Sequence, residues 1–409
     1  MSRIDDLILQ LCPNGVEFKT LGEIGRLVRG NGMPKTDLTD QGVGAIHYGQ
    51  IYTRYGVWTS KTISFVAPET AIKLAKAEPG DLIITNTSEN VEDVGKAVAW
   101  LGNEPIVTGG HATVIKHRED PKYLSYWFQS ASFFDQKKAL VSGTKVIDVS
   151  AKQLMKVRIP VPPLEIQREI VRILDTFSEL EAELEAELEA RKRQYAYYRD
   201  SLLSFPEAGG VRRVPMGELG EFIRGNGIQK DNLRESGVAA IHYGQIHTHY
   251  GTAATEVISF IDEELARRSR RALPGDLVIA TTSEDDEAVG KAVAWIGDEQ
   301  VAISGDAFIF RHTLAPKYVS YFFQTDEFQL HKKRHITGTK VRRISGESLA
   351  KIAIPVPSRE EQVRIVNILD KFDALINDLS IGLPAELTAR RKQYEYYRDK
   401  LLTFDEAVS

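Results

Sequence analysis

The sequence predicts a mixed α/β protein in which two similar globular domains alternate with two helical segments. Three observations predict it: a repeat that spans nearly the whole chain, short apolar runs between turns in each copy, and two segments with helical spacing of apolar residues. The repeat sets the globular domains at residues 1–159 and 206–354, and the helical segments at 160–205 and 355–409. The fold class is therefore α/β (α+β), and the repeat predicts an internal pseudo-twofold axis.

The repeat has a nearly constant offset. AIHYGQIYTRYG (45–56) returns 195 positions later as AIHYGQIHTHYG (240–251). The ends of the helical segments, RKRQYAYYRDSLLSF (191–205) and RRKQYEYYRDKLLTF (390–404), are offset by 199 instead. Four residues have therefore been added between these two blocks, and few insertions separate the copies elsewhere.

Each globular part combines strands with a helix. The runs DLIIT (81–85) and KAVAWL (96–101) predict strands, and Gly- and Asn-bearing turns lie between them. Asp81 and Asp276, both in PGDL, are expected to form turns between strands. KYLSYWFQSASFFDQKK in the first copy and KYVSYFFQTDEFQLHKK in the second have a helical pattern.

The helical segments are predicted to form long amphipathic helices. ELEAELEAELEA (179–190) has a leucine at every fourth position, which indicates a helix with an acidic solvent face. Leucines continue at the same spacing from Leu375 to Leu387, but Gly382 and Pro384 should kink or restart that helix. Two such helices can bury their apolar stripes against each other as an antiparallel pair, or coiled coil. The alternative is that each helix packs only on its own globular domain.

The two ends of the chain are expected to lie close together. Residues 4–25 align at the offset of 195 with residues 199–220, so the chain begins in what corresponds to the end of a helical segment. This alignment predicts a cyclic arrangement of domain, helix, domain and helix.

Composition excludes several classes of protein. With 42% hydrophobic and 27% charged residues in 409, the chain is ordinary for a folded protein, so disorder is not expected. No apolar run approaches the roughly 18 residues of a transmembrane helix, and the acidic N-terminus is unlike a signal peptide. Cys12 is the only cysteine, which excludes an internal disulfide and fits a reducing cytoplasm. The net charge of −5 does not decide for or against nucleic acid, because local basic clusters can outweigh it.

The sequence lacks the motifs of an enzyme that acts alone. VGKAVAW, at 94–100 and 289–295, has Ala after Lys and is therefore no phosphate-binding P-loop. No [DNS]PP[YF] motif for amino-methylation of bases occurs, no HExxH occurs, and the nine histidines are not spaced like metal ligands. We therefore predict no catalytic residue, no metal ligand and no cofactor in this chain.

What the chain does contain suits contacts with DNA. In the HYGQ segment, Gln50 and His47 can bond base edges, Tyr48 and Tyr55 can bond phosphates or stack, and Arg54 can do either. NTSE and TTSE add amide and hydroxyl groups, and basic residues surround a GTK turn in each copy, which suits phosphates. The alternative is that HYGQ is a structural turn whose tyrosines pack inward and whose glutamine serves the turn.

The predicted DNA-binding residues follow the repeat. In the first copy they are Asn31, Lys35, His47, Tyr48, Gln50, Tyr52, Thr53, Arg54, Tyr55, Asn86, Thr87, Ser88, Lys137, Lys138, Thr144 and Lys145. In the second copy they are Asn226, Lys230, His242, Tyr243, Gln245, His247, Thr248, His249, Tyr250, Thr281, Thr282, Ser283, Lys332, Lys333, Thr339, Lys340, Arg342 and Arg343.

The full chain resembles the DNA-specificity subunit of type I restriction–modification enzymes. The resemblance rests on IPVPPLEIQREIVRILD, RKRQYAYYRD and LSIGLPAELTARRKQYEYYRDKLL in the helical segments. It implies two target-recognition domains, each reading one half of a bipartite, interrupted sequence in double-stranded DNA. It also implies helical regions that act as a ruler, with ELEAELEAELEA as spacer repeats, and that dock two modification subunits.

The resemblance places the chemistry on partner subunits. Modification (methyltransferase) subunits would methylate adenine N6 with S-adenosylmethionine, and restriction subunits would translocate and cleave DNA with ATP and Mg. The chain itself would hold no cofactor, work in the cytoplasm and have no membrane partner.

The likeness of the two domains predicts a nearly palindromic target, with similar half-sites on opposite strands. Differences between the half-sites are expected from Tyr52/His247, Arg54/His249, Asn86/Thr281 and Asp148/Arg343. Two other interpretations remain open: a specificity subunit of a related methylating and cleaving system, and a stand-alone DNA-binding regulator. A plain coiled-coil scaffold would require the HYGQ segments to be dispensable.

Overall fold

A computed structural model describes residues 3–206, 210–377 and 382–407, and it confirms the mixed α/β class. The chain divides into two compact units. The first unit is Met1–Leu184 with Leu387–Ser409, and the second unit is Glu185–Glu386. The four segments defined by the repeat remain a prediction about the domain boundaries.

The first unit contains thirteen strands among its described residues. They are β1 (Phe18–Thr20), β2 (Gly25–Arg29), β3 (Val43–Ile46), β4 (Trp58–Thr59), β5 (Ser64–Val66), β6 (Ala75–Ala77), β7 (Leu82–Thr85), β8 (Thr87–Ser88), β9 (Ala97–Trp100), β10 (Ile106–Thr108), β11 (Ala112–His117), β12 (Ile147–Asp148) and β13 (Arg158–Pro160). They form a five-stranded sheet in the order β2-β11-β7-β9-β4, a four-stranded sheet in the order β5-β3-β10-β6, and the pairs β1-β13 and β12-β8.

Seven helices belong wholly to this described part of the first unit, and an eighth begins in it. They are α1 (Arg3–Leu11), α2 (Leu21–Ile24), α3 (Tyr48–Thr53), α4 (Pro68–Ala71), α5 (Pro121–Trp127), α6 (Ala131–Lys138), α7 (Ala151–Leu154) and the long α8 (Leu164–Leu203). Because the division between the units falls within α8, this helix contributes to both cores.

The second unit repeats the same topology. Its strands are β14 (Arg212–Pro215), β15 (Gly220–Arg224), β16 (Val238–Ile241), β17 (Ala253–Ala254), β18 (Phe260–Ile261), β19 (Arg271–Ala272), β20 (Leu277–Ala280), β21 (Thr282–Ser283), β22 (Ala292–Trp295), β23 (Val301–Ile303), β24 (Ala307–His312), β25 (Arg342–Arg343) and β26 (Ala353–Val356). Its sheets are ordered β15-β24-β20-β22-β17 and β18-β16-β23-β19, with the pairs β14-β26 and β21-β25.

The remaining helices follow the same repeat. They are α9 (Met216–Leu219), α10 (Tyr243–Thr248), α11 (Glu263–Arg268), α12 (Pro316–Phe322), α13 (Asp326–Lys333), α14 (Gly346–Ala350), α15 (Arg359–Asn377) and α16 (Leu383–Leu401).

The DLIIT run forms the central strand β7, which is covered on both faces. Leu82 and Ile84 belong to the cluster that packs against α5 and the start of α8. Ile83 points the other way and packs with Ile46 and the other residues of a second cluster. Because side chains alternate along a strand, a continuous apolar run is required when both faces are buried.

The long helices confirm the predicted helical segments and pair within the first unit. Phe177 of α8 stacks on Tyr397 of α16 with ring centroids 5.5 Å apart, and Arg391 lies 2.7 Å from Glu181. Residue numbers rise along one helix as they fall along the other, so the two helices are antiparallel. The helix therefore does not pack only on its own globular domain.

The predicted leucine stripe is only partly buried. Leu180 is 43% exposed, whereas Leu387 is buried. Helix α16 begins at Leu383, directly after Gly382, whereas residues 378–381 lie outside the described residues, so the break itself stays a prediction. Leu379 of the predicted stripe lies outside the described residues.

The first unit also confirms that the ends of the chain lie close together. The Val16 amide donates to the Asp405 carbonyl at 2.8 Å, and the Ala407 amide donates to the Val16 carbonyl at 2.9 Å. Arg158 forms an ion pair with Glu406 beside these bonds. A short parallel bridge therefore closes the N-terminal domain with the C-terminal residues.

Candidate nucleic-acid interface

The HYGQ segment enters a short helix, α3, whose N-cap is its histidine. His47 is the N-cap: its Nδ1 accepts from the Gly49 amide at 3.2 Å, and its own amide donates to Gln50 Oε1 at 3.0 Å. This reciprocal pair is a capping box, which satisfies amides that would otherwise lack partners at the start of a helix. His242 and Gln245 form the same capping box in α10.

Gln50 is engaged at both ends inside the domain. Its Oε1 caps α3, and its Nε2 donates to Ser64 Oγ at 2.6 Å. Gln245 makes the equivalent bond to Ser259 Oγ at 2.9 Å. The structural alternative therefore accounts for both glutamines, and the geometry does not favour their contact with bases.

The tyrosines of the segment divide into two kinds. The Tyr55 hydroxyl accepts from the Ile63 amide at 2.9 Å, and the Tyr250 hydroxyl accepts from the Ile258 amide at 3.1 Å, so both hold the following loop. Tyr48 is half-buried, and its ring lies 5.0 Å from that of His111. Tyr52 is also half-buried, and burial raises the pKa of its hydroxyl.

His47 and His242 differ from surface histidines in their environment. Partial burial lowers the pKa of the His47 imidazole, and the nearby charge of Lys35 lowers it further. Burial likewise lowers the pKa of His242. A neutral imidazole fits the role as N-cap, because Nδ1 must keep its lone pair to accept the amide proton.

Asn86 and its neighbours lie inside the domain and do not form an exposed surface. Asn86 is 2% exposed; its Nδ2 donates to the Val149 carbonyl at 2.9 Å, and its Oδ1 accepts from Thr113 at 2.6 Å. The same correction applies to the other buried members of this predicted group, which are Thr87, Ser88, Thr281 and Thr282. Ser283 alone in the group is half-buried.

Two predicted phosphate contacts are also corrected. Lys137 is 3% exposed, and its ammonium donates to the carbonyls of Glu92 (3.1 Å) and Val94 (2.7 Å). Lys332 bonds the carbonyls of Glu287 and Val289 in the same way. Burial lowers the pKa of each ammonium to about 8. The neighbouring Lys138 and Lys333 are exposed and remain candidates.

The RGNG turns are held by their asparagines. Asn31 Nδ2 donates to the Lys73 carbonyl at 2.6 Å, and Asn226 Nδ2 donates to the Arg268 carbonyl at 2.7 Å. Lys35 and Lys230, which follow these turns, are exposed. In the second unit, Lys230 lines an open cleft of about 630 Å³ with His242, Tyr243 and Asp306.

The GTK turns form the tips of two exposed hairpins. In the first unit, Ser142 and Asp148 exchange two backbone hydrogen bonds of 2.9 and 2.8 Å, and the residues between them form the hairpin tip. Gly143 has φ +103°, and a Cβ there would lie 2.0 Å from the Val146 carbonyl oxygen, so the turn requires glycine. Gly338 has the same role at φ +90° in the second unit.

The hairpin tips also expose an apolar residue that the sequence analysis missed. Val146 is 58% exposed and Val341 is 41% exposed, next to the exposed Lys145 and Lys340. In each copy this exposed valine follows a glycine with positive φ and a lysine. The repeated GTKV sequence could therefore have indicated an exposed hairpin tip, which the basic residues alone do not show.

Part of the predicted set remains exposed in each unit. In the first unit they include Lys35, Thr53, Arg54, Lys138, Thr144 and Lys145. In the second unit they include Lys230, Thr248, His249, Lys333, Thr339, Lys340 and Arg343. His247 and Arg342 are half-buried, with His247 Nε2 at 3.0 Å from the Thr282 carbonyl oxygen and Arg342 Nε at 2.8 Å from Asp286 Oδ1.

Neither a metal-binding cluster nor a membrane-spanning helix occurs in the described ranges. Among residues 3–206, 210–377 and 382–407, no group of three or more His, Cys, Asp or Glu side chains could hold a metal ion. In the same ranges, no helix is both long and apolar enough to span a membrane.

Two copies of one α/β domain, each with a capped helix and an exposed hairpin that carries a lysine at its tip, are the arrangement expected of a class of protein that recognises DNA through paired domains. A family model described as the type I restriction modification DNA specificity domain matches residues 13–190 and 210–389. The chain belongs to this family, and its role is DNA sequence specificity in a type I restriction–modification system.

Curated relatives agree with this assignment. The specificity subunit of the type I restriction enzyme EcoR124I/EcoR124II from Escherichia coli is 36% identical over 299 residues, 69% of this chain and 70% of that protein. A putative type I restriction enzyme specificity subunit from Haemophilus influenzae is 29% identical over 347 residues, 80% of this chain and 82% of that protein. Specificity subunits are non-catalytic components of type I complexes.

Solved structures share the fold. A chain from a structural study of complex assembly and conformational transition in the type I restriction–modification system matches with a TM-score of 0.66 at 20% identity, over 95% of this chain and 98% of that one. The type I S subunit from M. genitalium matches with a TM-score of 0.50 at 15% identity, over 95% and 96%. At these identities the likeness concerns the fold alone.

Proposed function

We propose that this chain recognises a bipartite, interrupted and nearly palindromic DNA site, one half-site with each unit, and directs adenine-N6 methyltransferase and restriction subunits to it. The observation that carries the proposal is the matched surface of the two units. Each surface has a capped helix (α3 or α10) beside a hairpin whose tip is an exposed GTKV sequence. Similar surfaces are expected to bind similar ligands, so similar half-sites are expected.

The exposed hairpins supply the electrostatic part of this recognition. Lys145 and Lys340 lie at the tips, with no ion-pair partner among the described residues, and an ammonium without a partner can neutralise a phosphate and release its counterion. Phosphate contacts fix the register of the protein on the duplex, whereas nearby side chains contact the bases. Arg54 and His249 are exposed at the ends of α3 and α10 and are proposed for base contacts.

Replacement of the hairpin lysines tests this interface. In the complex with modification subunits, Lys145→Ala together with Lys340→Ala should weaken DNA binding on all sequences. The slope of log K against log salt should fall by about 1 for each phosphate that the variant no longer neutralises. Lys19→Ala, in β1 and paired with Glu17, is the control and should change neither quantity. An unchanged salt slope in the double variant would contradict the proposed interface.

The helical segments offer a matched pair of partner-docking sites. Tyr197 is 69% exposed and Tyr396 is 60% exposed, at corresponding positions of the YAYYRD and YEYYRD sequences. The tyrosine that follows each is anchored, since Tyr198 stacks on Phe372 and Tyr397 stacks on Phe177. Exposed aromatic side chains on rigid helices are typical energetic anchors of protein interfaces, and two equal sites suit two modification subunits.

Co-purification tests the docking sites and separates the competing interpretations. Tyr197→Ala with Tyr396→Ala should abolish co-purification of the modification subunits, because both aromatic anchors are removed. Ile72→Ala, which removes an 82% exposed apolar side chain from the globular part, should have no effect. Retention of the partners by the double variant would refute these sites. Specific DNA binding with no methyltransferase partner in the host would instead favour a stand-alone regulator.

A further inference from the structure

One polar corner beside the proposed DNA-facing surface differs in its charged groups between the two units. The corner of the first unit consists of Tyr48, His111, Thr87 and Asp148, and the corner of the second unit consists of the residues 195 positions later, Tyr243, Asp306, Thr282 and Arg343. The tyrosine and the threonine are the same in both. At one of the other two positions the imidazole of His111 is replaced by the carboxylate of Asp306. At the other the carboxylate of Asp148 is replaced by the guanidinium of Arg343.

In the first unit the corner is a connected chain of polar groups. Thr87 Oγ1 lies 3.0 Å from His111 Nδ1 and donates to Asp148 Oδ2 at 3.3 Å. Since a carboxylate can only accept, the hydroxyl proton is directed to Asp148, and the hydroxyl oxygen accepts from His111 Nδ1–H. The His111 ring packs against Tyr48 in a tilted arrangement, with ring centroids 5.0 Å apart. The arrangement leaves the other carboxylate oxygen of Asp148 as an acceptor.

In the second unit the corner carries an unpaired cation. Arg343 is exposed in β25, opposite Thr282 of β21, and its guanidinium has no hydrogen-bond or ion-pair partner within the described ranges. Its neighbour Arg342 is engaged with Asp286, which leaves Arg343 as the donor of this corner. Asp306 lies in the cleft with His242 and Lys230, and its backbone carbonyl accepts from the Thr281 amide at 3.0 Å.

Both corners are continuous with the exposed hairpins. Asp148 and Arg343 are the residues that close the GTK hairpins through backbone bonds to Ser142 and Thr337. A ligand that contacts the hairpin tip therefore passes within reach of these side chains. Other positions of the interface also differ, such as Arg54/His249, but among the predicted DNA-binding residues and their counterparts the side-chain charge is inverted at Asp148/Arg343.

We propose that Asp148 and Arg343 are specificity-determining residues that contact the corresponding base in each half-site and make the target depart from a palindrome there. This inference rests on the proposed function. A guanidinium donates two hydrogen bonds to guanine O6 and N7, whereas a carboxylate accepts from the amino group of cytosine or, less often, adenine. The second half-site therefore has guanine at this position, and the first half-site has a base with a major-groove amino group, with cytosine favoured.

Exchange of the corner residues between the units tests the inference. In the complex with modification subunits, His111→Asp with Asp148→Arg should give the first unit the preference of the second. Methylated adenines mapped over a genome should then show guanine at the corresponding position of the first half-site, with every other position and the spacer unchanged. The reciprocal variant, Asp306→His with Arg343→Asp, should change the second half-site in the opposite way. On synthetic duplexes, the preference between the two bases should change by about 5- to 100-fold.

Arg26→Glu is the matched control. Arg26 pairs with Lys116 in β11, next to the pair Ile115–Leu82 at the start of β7, whereas the corner follows the end of β7. The substitution inverts a charge at the end of the sheet away from the corner. It also introduces the residue type that the second unit has at the corresponding position, Glu221. It should leave the methylated sequence unchanged.

The possible outcomes separate the inference from the proposed function. Absence of any sequence-specific methylation by the wild-type complex, or half-sites that share no bases, would overturn the proposed function itself. A bipartite target that stays the same in both exchanged variants would overturn only the inference. The variant with Asp148→Arg could instead bind all sequences more tightly, with a steeper salt dependence and an unchanged target. That result would show a contact with phosphate and would also overturn the inference.

Discussion

At the residue scale, the basic clusters contain two different kinds of lysine. In the KK pair of α6, Lys138 is exposed, but Lys137 lies on the same helical face as the buried Phe133. In α13, Lys332 and Phe328 repeat this arrangement. Each buried ammonium donates to two carbonyls of the acidic loop that precedes β9 or β22, and so stabilises that loop. Because the ammonium is buried, a phosphate in solvent cannot reach it.

The buried lysine gives the stability of the second unit a defined pH dependence. Burial lowers the pKa of Lys332 to about 8. The negative charges of Asp285, Asp286 and Glu287 act in the opposite direction and raise this pKa, but their effect is smaller than that of burial. Between this value and the ordinary 10.5, the unfolded chain binds a proton that the folded chain does not, so the free energy of unfolding rises with pH. From pH 7.5 to 9.5 the rise due to this group is about 2 kcal/mol.

Denaturation of Lys332→Met and Lys333→Met at several pH values measures this effect. The Lys332→Met variant should lack the rise, and the exposed Lys333→Met variant should keep it. An equal pH dependence in wild type and Lys332→Met would show that Lys332 is protonated to the same extent in the folded and unfolded states.

The sequence could indicate part of this residue-scale result. Helical spacing of Phe133 and Lys137, four residues apart, already places both side chains on one face. It does not show which carbonyls the ammonium contacts, because Glu92 and Val94 lie more than forty residues away in the chain. Likewise, the burial of Asn86 depends on Thr113 and Val149, whose contacts arise only from sheet pairing. The exposure of the hairpin lysines required no such long-range information, because a GTK turn is polar and short.

At the element scale, the HYGQ segment shows why a short helix escapes prediction. Helix α3 has only six residues, fewer than two turns, so apolar periodicity cannot emerge from Ile51 alone. The signal that was present is the pair His47 and Gln50, three residues apart, which matches a capping box with histidine in place of the usual serine or threonine. Long elements such as α8 and the strand β7 were predictable, since their patterns extend over enough residues.

Glutamine replacement distinguishes a capping role from a base contact. Gln50→Ala should lower the free energy of unfolding of the first unit by about 1–2 kcal/mol, because the His47 amide and Ser64 lose their partner. The half-site contacted by this unit should stay the same. Gln50→Glu, which keeps the acceptor for the His47 amide but not the donor to Ser64, should be intermediate in stability. A changed base in the target, with unchanged stability, would restore the original hypothesis of base contact.

At the scale of the whole molecule, the repeat predicts both the architecture and the kind of target. The two units have the same strand order in every sheet, and the first unit joins the N-terminal domain to the C-terminal residues. The offset of 195, the helical segments and the closeness of the ends were all available from the sequence. The charge inversion between Asp148 and Arg343 was visible as a difference, but its position at the base of an exposed hairpin came only from strand pairing.

The central claim is that two nearly equal units recognise two nearly equal half-sites. Single-molecule detection of N6-methyladenine in a host that carries this chain and its modification subunits tests it most directly. We expect one interrupted target whose half-sites, read on opposite strands, agree at most positions and differ at few. Two unrelated half-sites, or methylation without a bipartite target, would contradict it.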